Sequence, residues 1–83
     1  NANLFKIISD NKNKKLLVYN PKLKSIKSIK LYDTSGKEVH RLMISKTSNV
    51  YEISTSNISN GVFIAKIEST ENSSCSKRVI INK

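Results

Sequence analysis

With two glycines, one proline, one cysteine, one histidine and no tryptophan in 83 residues, several kinds of chemistry are excluded at once. Gly36 and Gly61 are too few and too far apart to build a glycine-rich loop around a phosphate. Cys75 has no second thiol to pair with, so no internal disulfide can staple the fold. His40 lacks the Cys or His companions of a tetrahedral metal site, so neither a metal nor a cofactor is expected. The six acidic residues, Asp10, Asp33, Glu38, Glu52, Glu68 and Glu71, are scattered, and no two are singled out as an acid–base pair. There is no Gly-x-Ser-x-Gly elbow, and an enzyme is not expected. No apolar run is long enough to cross a bilayer as a helix. Nor is there a basic segment followed by an apolar run of signal-peptide length. Beginning at Asn1 without an initiator Met, the chain reads as a fragment of a longer secreted protein, with any export signal upstream.

What the chain has in excess is lysine. The net charge is +9, concentrated between Lys12 and Lys37, where eight lysines face only Asp33. Lysines of this kind decorate exposed loops and strand edges and deter edge-to-edge pairing. Only Arg41 and Arg78 carry the guanidinium that bidentate phosphate and base recognition favour, and aromatics do not interleave with the basic run. Nucleic acid is therefore not an expected partner.

Apolar residues recur with a period of two, and no helical stripe competes. Strands are expected over Leu4–Ser9, Lys15–Tyr19, Ser28–Asp33, Lys37–Ile44, Asn49–Ser54, Val62–Glu68 and Lys77–Lys83. Asn20-Pro21 closes the second of these. Asp33-Thr34-Ser35-Gly36 has the chemistry of a type I turn with a G1 bulge, an acid at the first position and a glycine at the fourth. Ile58, alone in a polar connection, is expected to plug one end of the core, and Gly61 to supply backbone freedom into the next strand. Phe63, Ala65 and Ile67 share one face of the sixth strand. Cys75 alternates in register with Val79 and Ile81, which makes it an inward, inert thiol. About seven short strands in one small unit imply an all-β fold, an antiparallel β-sandwich.

Three motifs in order carry a family resemblance. The run Ile29-Lys30-Leu31-Tyr32-Asp33-Thr34-Ser35-Gly36-Lys37-Glu38-Val39 is followed by Ile58, Gly61, Phe63 and Ile67, then by Lys77, Val79, Ile80, Ile81 and Lys83. Over residues 29–83 this resembles the type A C-terminal sorting domain of type IX (Por) secretion substrates in Bacteroidetes. The first third departs from the family pattern, so residues 1–14 are either linker or an added edge strand of a single domain spanning 1–83.

The resemblance implies an immunoglobulin-like sandwich. It further implies a cargo carried to the periplasm by a signal peptide and then secreted or attached to the cell surface. The implied partners are the type IX translocon, its shuttle proteins and a cell-surface sortase, with the cargo upstream in the same chain. Lys77, Val79, Ile80, Ile81 and Lys83 become the expected recognition residues. Tyr32, Asp33, Gly36, Lys37, Val39, Gly61, Phe63 and Ile67 become scaffold. On their own, Lys77 and Lys83 read rather as ordinary solubilising strand ends, and only the resemblance assigns them recognition. The alternative function is an adhesive or carbohydrate-binding sandwich, for which Tyr19, Tyr32 and Tyr51 are the available platforms.

Overall fold

The computed structural model describes residues 5–71 and 73–83, so Leu4 of the first expected strand and Asn72 lie outside the described residues. Among the described residues seven strands form two antiparallel sheets. They are β1 (Lys6–Asp10), β2 (Lys15–Tyr19), β3 (Ile26–Tyr32), β4 (Glu38–Met43), β5 (Val50–Ser54), β6 (Gly61–Ser69) and β7 (Ser74–Ile81). One sheet has the order β1-β2-β5 and the other β4-β3-β6-β7. The chain thus makes a hairpin in the first sheet, crosses for a hairpin in the second, returns as β5, and crosses again for β6 and β7.

The core lies between the sheets. Leu16, Val18, Tyr51 and Ile53 come from one side, and Ile29, Leu31, Phe63, Ala65, Ile67, Val79 and Ile81 from the other. Each set alternates along its strand with exposed or half-buried residues, the outcome of a period-two pattern on pleated backbone. Cys75 is buried in the same layer. Ile58, also buried, closes the end of the core from the β5–β6 connection.

Every strand but β2 has a boundary that departs from the sequence reading, and three of these departures have a clear local reason. β3 begins at Ile26 because its register against β6 shifts between Ile26 and Ser28. That bulge lets Ile26 and Ile29, three residues apart, both face inward. β7 begins at Ser74, since Ser69 N donates to Ser73 O, the pairing starts at Glu68↔Ser74, and Ser74 and Ser76 simply face outward. It ends at Ile81, beyond which Asn82 and Lys83 bond to loops instead.

The loops are tied down by polar groups. Asn20 is fully buried: its Nδ2 donates to the carbonyls of Lys24 and Ser48, and its Oδ1 accepts from Lys24 N, all at 3.0 Å. It replaces, at the first sheet crossover, the backbone partners that the strands no longer supply.

Candidate functional site

β7 carries the five expected recognition residues or leads into them, and the structure sorts them onto different surfaces. Among the described residues β7 pairs with β6 alone and forms an edge of the four-stranded sheet. Val79 and Ile81 point inward, only 6% and 1% exposed. Lys77 shares their parity, lies opposite Ala65 and is half-buried. A small residue across the ladder leaves room for the lysine stem. Ile80 points the other way, 55% exposed, directly opposite Val62 on β6.

Lys83 is held rather than free. Its ammonium donates to the carbonyls of Thr55 at 2.9 Å, Ser56 at 3.3 Å and Ile58. Its backbone N–H donates to Asn60 Oδ1 at 2.9 Å, and that of Asn82 to Asn11 Oδ1 at 3.1 Å. The end of β7 is therefore fastened to the β5–β6 connection and to the β1–β2 turn, which belongs to the opposite sheet. Nothing in the sequence signals this carbonyl cradle, because its acceptors are main chain.

The motif residues of the middle third build a hairpin and core. Gly36 N donates to Asp33 O at 3.0 Å, and Asp33 N to Lys37 O at 2.9 Å. Asp33 Oδ1 accepts from Ser35 Oγ, Ser35 N and Lys37 N at 2.6, 2.9 and 3.0 Å. These bonds, led by the Ser35 hydroxyl, hold the Asp33 carboxyl below its ordinary value. Gly36 has φ +89°, and the pairing skips from Glu38 to His40, leaving Val39 as the exposed extra residue of the bulge. Gly61 enters β6 at φ +155°, while Phe63 and Ile67 are core and Tyr32 is half-buried on the outer face.

The outer face of the same sheet carries an ion-paired end. Lys30 Nζ lies 2.9 Å from Glu68 Oε1, and Ser28 Oγ donates to the same oxygen at 3.0 Å. The Lys30 contact, then that of Ser28, lowers the Glu68 pKa, and Glu68 raises that of Lys30. Arg41 donates from Nε and Nη2 to the two carboxylate oxygens of Glu38 at 3.0 and 3.1 Å.

Among the described residues no group of three His, Cys, Asp or Glu is placed to hold a metal. A cleft of about 210 Å³ beside Phe5 and Cys75 is smaller than the roughly 300–1,000 Å³ of typical ligand pockets, and a larger one of about 400 Å³ between residues 42–46 and 50–52 is an open surface groove. The three tyrosines do not form one platform. Tyr51 is buried with its hydroxyl accepting from Ser48 N, and Tyr19 and Tyr32 lie on different sheets.

Two facing antiparallel sheets with this strand order define an immunoglobulin-like β-sandwich. The chain is similar to the crystal structure of a DUF3244 family protein with that fold from Bacteroides vulgatus, with a TM-score of 0.79. Sequence identity is 17%, and the match covers 95% of this chain and 84% of that one. At this identity the likeness establishes the fold alone. A comparison with curated proteins gives no match. Residues 8–82 match the model of the secretion system C-terminal sorting domain, and the chain belongs to that family. It is a sorting signal for type IX secretion, acting with that system's machinery to deliver its protein to the surface or medium. The match reaches well upstream of residue 29 and takes in β2 and most of β1.

Proposed function

We propose that the folded domain is read by the outer-membrane translocon and its shuttle proteins, with β7 and the sheet face beside it as the recognition element. The carrying observation is that a family match over residues 8–82 coincides with a final strand lying at a sheet edge. In this reading Lys77 and Ile80 meet the partner. Val79 and Ile81 hold the strand in place from inside, and Lys83 fixes its end. An inward lysine on an edge strand discourages indiscriminate strand addition, so the partner must supply more than a free backbone. The cargo lies upstream and reaches the periplasm on a signal peptide, and a surface sortase then releases or attaches it.

The test is a periplasm-targeted fluorescent protein fused to residues 1–83 in a bacterium with a type IX system. A shortened fusion stopping before Lys77 should stay in the periplasm while the full fusion reaches the surface or medium. Because that truncation also removes Val79 and Ile81 from the core, a full-length Lys77→Glu fusion is run beside it, with its melting curve. Retention of the full fusion in the periplasm would overturn the reading.

A further inference from the structure

The outward side chains of β3, β6 and β7 separate into two zones. At one end is the ion pair Lys30–Glu68, while Arg41–Glu38 runs along the neighbouring β4 with Glu38 opposite Tyr32, its charge already met by Arg41. At the other, Tyr32 lies opposite Ile64 and Val62 opposite Ile80, with Ile64 and Val62 two residues apart on one strand. All four face outward, forming an apolar block about 10 Å wide and 7 Å tall at ordinary strand spacings. Ile80 and Val62 are 55% and 39% exposed. Arg78 sits directly across from Ile64, and Lys66 is the next outward residue along β6. Neither makes an ion pair among the described residues.

We propose that this corner docks a protein surface with an apolar centre and an acidic rim. The proposal rests on the sorting reading and assigns the chemistry of the machinery's receiving surface. An apolar block gains by being covered, and cations outside any ion pair at its border select an oppositely charged border. A second copy of the chain is disfavoured, because each copy carries +9. A bilayer is also a poor occupant: Tyr32 and Ile64 are half-buried on a flat sheet and do not project as a loop tip or amphipathic helix would.

The test uses the same periplasmic fusion carrying three sets of changes. Val62→Thr with Ile80→Thr removes the apolar centre while keeping β-branched residues on the strands. Arg78→Glu with Lys66→Glu reverses the rim, and Ile8→Thr alters the outer face of the other sheet as a control. Export of the first two should fall about tenfold or more, as for loss of interface hot spots. Melting midpoints should stay near that of the unaltered chain, and Ile8→Thr should be exported normally. If a double variant melts early, the single Ile80→Thr and Arg78→Glu changes take its place in the comparison.

Unchanged export of the folded Val62→Thr/Ile80→Thr fusion would overturn the docking proposal while leaving the sorting reading intact. Failure of the unaltered fusion to leave the periplasm would overturn both. Co-sedimentation of the chain with anionic phosphatidylglycerol vesicles, lost in Val62→Thr/Ile80→Thr, would replace the protein partner with a membrane.

Discussion

At the scale of single residues, two neighbouring polar groups make opposite predictions. Thr55 is 2% exposed, and its hydroxyl has no hydrogen-bond partner among the described residues. A buried hydroxyl left unsatisfied costs stability, so Thr55→Val should leave the urea midpoint unchanged or raise it. Lys83 donates to three carbonyls, one of them that of Thr55 itself. Lys83→Met strips those donors and should lower stability by about 1 kcal/mol, after discounting for its exposure to water.

The carboxylates set the pH response. Asp33, Glu68 and Asp10 all have folded-state values below the ordinary ones, Asp33 chiefly through Ser35, Glu68 through Lys30 and Asp10 through Asn13. A depressed carboxyl stabilises the fold above its unfolded value, and that stability is lost as pH falls through the lower, folded value. Melting temperature should therefore be nearly flat near neutrality and fall below about pH 4, and Asp33→Asn should shrink the fall. An acid limb unchanged in that variant would show that Asp33 does not contribute to it.

At the scale of elements, the alternation on β7 is open to a direct check. Ile81→Ala should cost about 2–5 kcal/mol because it opens a cavity in the core. Ile80→Ala, one residue away but on the outer face, should change stability by about 0.5 kcal/mol or less. Equal costs in denaturant titrations would contradict the inward and outward assignments. In the β3–β4 turn, Gly36→Ala forces a side chain into φ +89° and should cost about 1 kcal/mol. No atom lies within 4 Å of an added Cβ there, so the cost would be conformational rather than steric.

These same elements show what a sequence makes visible. Phe63, Ala65 and Ile67 announce their face because β6 is regular, and Asp33 with Gly36 announces the turn because short-range hydrogen bonds and one backbone angle suffice for it. The inward position of Ile26 is hidden by the bulge that follows it, since parity cannot be counted across an extra residue. The apolar corner is equally hidden. Its four members come from three strands, and only the register between them brings Tyr32, Ile64, Val62 and Ile80 together. Ile80 could be named from the chain, but its neighbours could not.

At the scale of the whole molecule, the pairing partners are far apart in sequence. β2 pairs with β5 across the intervening β3–β4 hairpin, and β3 pairs with β6. Non-local pairing of this kind slows folding, so refolding is expected in milliseconds to seconds rather than microseconds. One shared core predicts one transition: tyrosine fluorescence and far-ultraviolet circular dichroism should give coincident urea curves. Separate midpoints for the two probes would show that the sheets can part independently.

The fastening of β7 to both halves of the sandwich bears on when the domain closes. That strand follows the other six along the chain, yet it supplies Val79 and Ile81 to the core, and the residues after it reach Asn11 and the 55–60 connection. A polypeptide broken off during synthesis, or clipped before this point, lacks those parts and cannot close the sandwich. A receptor that reads the closed surface, as proposed above, would therefore refuse copies broken off within this domain, whatever the length of the cargo before it.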